Sequence, residues 1–341
     1  MSQDFAQVGV YATPLEACEA VGVQYKEYYN RGGFACLALY DGGKTDGRMK
    51  RFADGRGGLI FNQREKTMAV WIDGYETGLK LTRKQKAEIK RQSEINRVQF
   101  EAQEKAKHEL ASRYSALFYR SATSCFSHPY LTKKHVPMVD TLRVIEYDTA
   151  FSILESYYRD AGRPVPHSFP TSVRGGLSAH APLLVVPMRG EAKDFQAIQL
   201  IDENGAKSFL WGCKKSGSYW QTMALPEFDA NPDLMIGIAE GVATALSVAY
   251  VKGIPVVSAM DCGNLTPVAM QIRARFPRAR IVICSDVGNG EKDAQKASQA
   301  IKGELAVPMF TDALRAEFAR LTGKETPTDF NDFYLAKGDL L

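Results

Sequence analysis

The chain has 341 residues, 45% of them hydrophobic, and a formal net charge of +4 at neutral pH. This length predicts two or three domains with real cores, and so mild a basic excess does not by itself indicate a nucleic-acid-binding protein. The six cysteines include no CxxC pair, which excludes a zinc-ligand pattern and indicates core residues in a reducing compartment. No apolar run approaches the roughly 20 residues of a membrane helix and nothing resembles a signal peptide, so we expect a cytoplasmic protein without membrane contact.

The first 80 residues predict a small α/β unit. Thr13 followed by Glu16 has the spacing of a helix capping box, so the segment TPLEACEAVGV predicts a short helix. The segments FACLALYDGG and GGLIFNQREKTMAVWIDG predict strands joined by antiparallel hairpins, because Asp-Gly and Gly-Gly pairs interrupt the apolar runs.

Residues 82–120 predict one long helix that no Gly or Pro interrupts, with Thr82 as its cap. Charged residues and glutamine dominate its first part, and apolar residues are sparse before Leu110. We therefore expect a mostly solvated helix that bridges domains and begins to pack at Leu110, Tyr114, Leu117 and Phe118.

The sequence pattern of residues 122–226 predicts a mixed α+β subdomain. PLLVVPM (182–188) predicts a buried strand, and Asn204-Gly205 is a hairpin signal between FQAIQLI and KSFLWG. No Walker A pattern occurs anywhere in the 341 residues, which excludes a fused helicase motor from this sequence.

A group of cations and aromatic residues follows the predicted hairpin: Lys214, Lys215, Tyr219 and Trp220. This mixture suits single-stranded nucleic acid, because cations neutralise the phosphates while bases stack on the rings. An exposed hairpin edge that lysines protect from aggregation accounts for the same pattern.

From residue 227 onward, buried strands alternate with helices. The strands are LMIGIAEG, IPVVSAM and RIVICSD, ending at residues 241, 260 and 286, and the helices cover residues 242–253, 265–276 and 291–301. This alternation predicts βαβ units and a parallel sheet. Glu240 and Asp286 stand at strand ends, where such sheets place their working residues. Two acids there can hold a divalent cation or exchange protons with a phosphoryl-transfer substrate.

These motifs carry a resemblance to a known family. EGVATALS, the CGNL turn and the strand ending at Asp286 resemble a Toprim domain, the catalytic module of topoisomerases and bacterial primases. HPYLTKKHV, PLLVVPM, QAIQLIDENGAKSFLWG and TDFNDFY resemble, in the same order, the DNA primases of conjugative plasmids and related mobile elements. The resemblance covers about residues 110–335.

The resemblance implies an enzyme that makes short RNA primers on single-stranded DNA from ribonucleotide triphosphates, for plasmid or mobile-element replication or transfer. Glu240 would move a proton at the primer hydroxyl. Magnesium or manganese would be the cofactor, without zinc, and other replication or transfer proteins are possible partners. The residues expected to hold the metal are Asp286, Asp261, Asp332 and Asp329. Those expected to contact nucleotide or nucleic acid are Lys207, Lys214, Lys215, Trp220, Gly241 and Gly263.

Together, the patterns and the resemblance predict an α/β fold. A Toprim-like parallel sheet flanked by helices follows a mixed α+β primase-core subdomain, a long helix and a small N-terminal α/β unit. The expected segments are residues 1–80, 81–121, 122–226 and 227–341.

The sequence departs from the family where the metal should lie. A Toprim domain ends its third strand with Asp-x-Asp, whereas this chain has Ser285-Asp286-Val287-Gly288. If Asp286 corresponds to the first aspartate of this motif, Gly288 stands in place of the second. If the match is shifted by one residue, Ser285 and Val287 stand in place of both aspartates. Two alternatives therefore remain open: a catalytically degenerate Toprim protein that binds nucleic acid or a replication partner, and a Toprim nuclease.

Overall fold

The computed structural model describes residues 5–27, 35–42, 46–52, 55–73, 83–171, 176–179, 181–190, 194–226, 233–288 and 290–341. The chain forms two compact units, residues 1–96 and 97–341. None of the described helices combines the length and apolarity that a membrane crossing requires. The finer division into four segments stays a prediction.

In its described residues, the first unit contains a five-stranded sheet and one short helix, followed by the start of the long helix. Its elements are β1 (Ala6–Tyr11), α1 (Pro14–Ala20), β2 (Ala35–Leu37), β3 (Gly47–Arg51), β4 (Gly57–Asn62) and β5 (Thr67–Ile72). The spatial order is β1-β5-β4-β3-β2, antiparallel from β5 to β2 and parallel between β1 and β5. The predicted capping box is confirmed: Glu16 N donates to Thr13 Oγ1 (3.2 Å), and Thr13 N donates to Glu16 Oε2 (3.1 Å).

The long helix is α2 (Arg83–Ser121). Its predicted cap, Thr82, lies outside the described residues. Tyr114 and Phe118 are buried, as predicted, whereas Leu117 is 38% exposed. The buried residues Ala111, Tyr114 and Phe118 recur at helical spacing, which places one stripe of the helix against the core of the second unit.

The second unit contains a four-stranded antiparallel sheet with the order β6-β7-β8-β9. Its elements are α3 (Pro129–Lys133), β6 (Arg143–Ile145), α4 (Tyr147–Asp160), β7 (Leu183–Arg189), β8 (Phe195–Ile201) and β9 (Lys207–Phe209). The predicted hairpin between β8 and β9 is confirmed. Gly205 takes φ +88° in its turn, where Asp202 Oδ1 accepts hydrogen bonds from Asn204 N (2.9 Å) and Ala206 N (2.8 Å).

A second five-stranded sheet follows, with the order β10-β12-β11-β13-β14. Its strands are β10 (Trp220–Gln221), β11 (Met235–Ala239), β12 (Val256–Ser258), β13 (Arg280–Cys284) and β14 (Glu304–Ala306). Its helices are α5 (Val242–Lys252), α6 (Leu265–Arg275), α7 (Glu291–Ile301), α8 (Asp312–Thr322) and α9 (Phe330–Lys337). All strands except β10 are parallel, which confirms the predicted βαβ order.

Separate apolar clusters cover the two faces of this parallel sheet. Leu246 of α5 belongs to one cluster, whereas Ile272 of α6 and Ala297 of α7 belong to the other. The central strands β11 and β13 are therefore buried on both faces, which is why they appear in the sequence as continuous apolar runs. The two sheets of the unit are joined by the backbone pair of Arg189 and Tyr219.

Candidate active site

Two carboxylates stand at one edge of the parallel sheet. Glu240 directly follows β11, and Asp286 lies two residues beyond β13. The last residues of these neighbouring strands, Ala239 and Cys284, are paired in register, so both acids emerge at the carboxyl edge. Both line a cavity of about 560 Å³, here called the strand-end cavity.

The TDFNDFY segment adds two more acids to the strand-end cavity, Asp329 and Asp332. Asp329 caps α9, since its Oδ1 accepts a hydrogen bond from Asp332 N (2.9 Å). Asp332 Oδ2 accepts one from Thr328 N (2.9 Å), and Thr328 O accepts one from Val287 N (2.7 Å), just past β13. This chain of bonds holds the start of α9 against the end of β13, and so places four carboxylates around one cavity.

Burial and mutual repulsion disfavour the charged forms of these acids. Burial, followed by the charges of Asp329, Glu240 and Asp332, raises the pKa of Asp286 to about 7, and Lys207 opposes the shift. Burial also raises the pKa of Glu240 and that of Asp332. Oδ1 of Asp286 is buried and has no hydrogen-bond partner. The cavity therefore holds negative charge that a cation can compensate.

Lysines surround the acids. Lys207, Lys134 and Lys324 line the strand-end cavity together with Lys133. Lys207 is an exposed residue, but protein atoms surround its ammonium group and desolvate it. This desolvation and the charge of Lys134 lower the pKa of Lys207, whereas the charges of Glu240, Asp329 and Asp286 raise it. Lys134 Nζ lies 3.9 Å from Asp332 Oδ1. Cations and anions thus share one cavity.

The sequence analysis did not single out Lys134, although it lies within the quoted segment HPYLTKKHV. His128 caps α3 by accepting a hydrogen bond from Tyr130 N at Nδ1 (3.2 Å), and α3 ends at Lys134. Buried Asn331 then donates from Nδ2 to Lys134 O (2.7 Å) and to Ser247 Oγ (2.9 Å). These bonds join the end of α3 to α5 and α9, which no local sequence pattern indicates.

Gly241 lines the strand-end cavity, and Gly290 lies beside two of its acids. Gly241 precedes α5, whose first N–H groups receive no side-chain cap, and Thr244 of the first turn of α5 also lines the cavity. A Cβ atom on Gly290 would lie 3.1 Å from Glu240 Oε2 and 3.7 Å from Asp286 Cβ. Glycine at 290, which the sequence analysis missed, lets the backbone approach both acids.

Five of the expected site residues are not part of this cavity lining: Asp261, Lys214, Lys215, Trp220 and Gly263. Asp261 Oδ2 lies 3.5 Å from Lys215 Nζ, and Asp261 Oδ1 accepts a hydrogen bond from Asn264 N (3.1 Å). Lys215 Nζ also lies 4.9 Å from the centre of the Phe209 ring. The charge of Asp261 still raises the pKa of Glu240.

The interpretation of Trp220 as a stacking platform is wrong. Trp220 is 2% exposed and belongs to the core beside the parallel sheet, and its Nε1 donates to Thr141 Oγ1 (3.0 Å). An indole so enclosed cannot receive a base on its face. Lys214 is exposed, but it too does not line the strand-end cavity.

The donors of the strand-end cavity fit a magnesium ion with few protein ligands. Across the described residues, no three Asp, Glu, His or Cys side chains lie close enough to form a complete metal site. Oδ1 of Asp286 is nevertheless a buried oxygen without a hydrogen-bond partner, and a bound cation would supply a partner for it. Magnesium commonly takes one or two carboxylates together with substrate phosphates. The residues present are sufficient for that mode of binding.

Gly288 lies in an open loop beyond β13. If Asp286 corresponds to the first acid of Asp-x-Asp, Gly288 stands at the position of the second. Its φ is +96°, and, apart from its chain neighbours, no atom of the described residues lies within 4 Å of a Cβ built on it. An aspartate there would have room but a strained backbone. Val287, in the other register, is 37% exposed.

Comparisons with known proteins show what parts of this chain are similar to. Residues 235–339 match the Toprim domain family. Two proteins of Escherichia coli, both called DNA primase TraC, are similar to this chain. One is 33% identical over 172 residues, which cover 45% of this chain and 16% of that protein. The other is 36% identical over 126 residues, which cover 34% of this chain and 9% of that protein. The chain thus spans less than a fifth of either relative's length.

Solved primase structures are also similar. The zinc-binding and RNA polymerase domains of the Aquifex aeolicus primase are 13% identical, with a TM-score of 0.41, covering 69% of this chain and 59% of that chain. The DnaG primase catalytic domain bound to single-stranded DNA is 10% identical, with a TM-score of 0.38, covering 70% and 77%. Residues 235–339 form a Toprim domain, and the chain that carries it resembles the Toprim DNA primases of conjugative plasmids.

Proposed function

We propose that this chain is a primase-like nucleotidyltransferase that synthesises short RNA primers on single-stranded DNA for replication or transfer of a plasmid or other mobile element. One observation carries the proposal: the strand-end cavity brings Glu240 and Asp286 together with Lys207 at the carboxyl edge of the Toprim sheet. Its substrates are ribonucleotide triphosphates, it acts in the cytoplasm, and other replication or transfer proteins are its further partners.

Glu240 is the proposed proton acceptor at the primer hydroxyl. Burial raises the pKa of Glu240 above its ordinary value, the direction that makes a carboxylate a stronger base. The charge of Lys207 acts in the opposite direction and favours the carboxylate form. Gly290 leaves room for this carboxylate, because a Cβ atom at position 290 would lie only 3.1 Å from Glu240 Oε2.

Asp286 and Asp329 would hold magnesium. Oδ1 of Asp286 has no hydrogen-bond partner. Asp329 and Asp332 each accept one backbone hydrogen bond, and Asp332 in addition lies 3.9 Å from the ammonium group of Lys134. When bound, magnesium would neutralise charge on the phosphates of the incoming nucleotide. Asp332 would chiefly orient Lys134.

The lysines and the N-terminal residues of α5 are the proposed phosphate-binding groups. Lys134, Lys207 and Lys324 line the same cavity as the acids, and phosphoryl transfer depends mainly on positioning and charge neutralisation. The uncapped N-terminus of α5 adds backbone N–H donors next to Gly241. A triphosphate can therefore contact cations on one side while the primer hydroxyl meets Glu240.

The competing function is a degenerate Toprim protein that binds nucleic acid without catalysis. One observation favours it: no three metal-ligating side chains cluster within the described residues, in line with the missing second acid. A nuclease has weaker support, because the motifs outside the Toprim domain resemble primases.

The test is primer synthesis on single-stranded DNA with labelled ribonucleotides. Glu240→Gln should reduce the rate by about 10²–10⁴-fold while leaving folding and DNA binding near wild type. Glu146→Gln is the matched control, because Glu146 is exposed and its side chain makes no capping bond. Equal synthesis by the Glu240 variant and wild type would remove the assigned role. Binding of DNA without any synthesis by wild type, with magnesium or manganese, would establish the degenerate function.

A further inference from the structure

Trp211, in the turn that follows β9, is an exposed tryptophan. The chain has three tryptophans, and the other two, Trp71 and Trp220, are 0% and 2% exposed, whereas Trp211 is 37% exposed. A single exposed apolar side chain is common on protein surfaces and indicates no ligand by itself. The case for a ligand therefore depends on the groups that surround the Trp211 ring.

Two cationic side chains lie close to the Trp211 ring. Arg163 Cζ is 4.2 Å from the ring centre, and Lys107 Nζ is 5.5 Å from it. Lys107 is paired with Glu104, whereas Arg163 is exposed and pairs with no carboxylate of the described residues. We call Trp211, Arg163 and Lys107 together the indole platform. It combines an aromatic ring with positive charge that is only partly neutralised.

The backbone under the indole platform is held by hydrogen bonds. Trp211 O accepts one from the hydroxyl of Tyr157, and Gly212 O lies 2.7 Å from His108 Nδ1. Gly212 takes φ +73°, and a Cβ atom there would collide with the side chain of Lys107, so α2 packs directly against this turn. A ring carried by a fixed backbone loses little conformational entropy when it receives a ligand.

Strand β9 connects the indole platform with the strand-end cavity. Lys207, the first residue of β9, lines that cavity, and Trp211 lies two residues past the end of the strand. Four residues of extended chain span at most about 13 Å. At about 3.4 Å for each nucleotide of a stacked strand, this is the length of about four nucleotides. A strand held at the platform can therefore reach the cavity.

The chemistry of the indole platform matches a single-stranded nucleic acid. Bases of a single strand can be splayed out and stacked on aromatic rings or guanidinium planes, whereas those of a duplex are stacked on each other. The charge of Arg163 suits the phosphates, and exposed Lys214 adds a cation three residues after Trp211. Aromatic surface and cations in one place thus serve both parts of a nucleotide.

We propose that the indole platform binds single-stranded DNA, with one base stacked against the Trp211–Arg163 pair and a phosphate at Arg163. In the proposed function, on which this inference rests for the role of that strand, the DNA is the template on its way to the strand-end cavity. The sequence pattern of cations and aromatics after the hairpin indicates the right segment. The stacking residue in it is Trp211, two residues after β9, and Trp220 stays in the core.

Tryptophan fluorescence tests the stacking directly, because Trp71 and Trp220 are buried. Titration of wild type with an oligodeoxythymidylate should quench the emission, since a base stacked on Trp211 contacts the excited ring. Trp211→Phe keeps an aromatic ring, so it should bind the oligonucleotide within about three-fold of wild type and lose the quenching. A duplex of the same length should quench less than the single strand.

Anisotropy with a labelled oligodeoxythymidylate separates stacking from charge. Trp211→Ala should weaken binding roughly ten-fold without changing the log–log salt slope, since it removes no charge. Arg163→Gln should also make that slope shallower by about 0.7. The matched control is Arg315→Gln, at an exposed arginine whose Cζ lies 5.6 Å from the centre of the Phe310 ring, and it should change neither quantity.

Three results would overturn the platform: no quenching of wild type, quenching that persists in Trp211→Phe, or unchanged affinity of a Trp211→Ala variant that melts like wild type. Tighter binding of an oligouridylate, by ten-fold or more and with the same dependence on Trp211, would make the strand RNA and overturn the assignment to template. DNA binding that depends on Trp211 in a protein that makes no primers would defeat only the proposed function.

Discussion

Replacing Asp286 by asparagine should stabilise the metal-free protein at neutral and alkaline pH. In the unfolded chain the carboxyl ionises at its ordinary pKa of 3.8, whereas in the fold, burial and the neighbouring acids raise its pKa to about 7. Between these pH values the unfolded state has released the proton and the folded state retains it. Rising pH therefore favours unfolding until about pH 7, above which the penalty is constant.

The magnitude follows from the size of this change. Raising the Asp286 pKa from 3.8 to about 7 corresponds to about 4 kcal/mol at 1.36 kcal/mol for each pH unit. Because the side chain is only half-buried and solvent screens part of the effect, we expect about 2–3 kcal/mol. Asparagine cannot ionise, so Asp286→Asn should gain that stability at pH 8 and almost none at pH 4.

The assay is urea unfolding in chelator-treated buffer at both pH values, with Asp140→Asn as the control at an exposed aspartate. Magnesium added at pH 8 should then stabilise wild type more than Asp286→Asn, because only wild type keeps the carboxylate. A gain of equal size at both pH values, or no gain at pH 8, would show that Asp286 carries no buried charge in the fold.

The remaining predictions concern charge at the strand-end cavity. Gly288→Asp should strengthen magnesium binding in calorimetry, despite its φ of +96°, because it adds an anionic ligand, whereas Val287→Asp tests the alternative register. Tight binding by wild type that neither variant improves would show that another acid already completes the site. Lys207→Ala should make the salt slope for single-stranded DNA shallower by about 0.7, and Lys214→Ala, outside the cavity, tests whether the exposed lysine also contacts phosphate. If the affinity of wild type for single-stranded DNA did not depend on salt, both lysine predictions would be contradicted.

Local patterns predicted the alternation of strands and helices that forms the parallel sheet. Buried strands such as Met235–Ala239 are continuous apolar runs, and Gly253 ends α5 with φ +64°, so strand and helix boundaries agree to within one or two residues. The edge strand Glu304–Ala306 was missed, because its three residues carry no apolar run and two of them are exposed. A strand at the edge of a sheet has a weaker apolar pattern in the sequence than a strand that is buried on both faces.

The candidate site was only partly predictable for a different reason. Glu240 and Asp286 could be placed together because parallel strand ends share an edge. Lys134 and Gly290 could not, since their positions depend on packing between segments distant in the chain. The wrong interpretation of Trp220 arose from composition, which does not distinguish a buried indole from an exposed one.

The hydrogen bond from Asn331 to Lys134 O spans 197 positions of the chain. Contacts of such long sequence separation form late, because the entropy of closing a large loop is lost before they contribute. During synthesis, the strand-end cavity cannot be completed until α9 has left the ribosome. The four mutually repelling carboxylates therefore meet only after both apolar cores that flank the sheet can form.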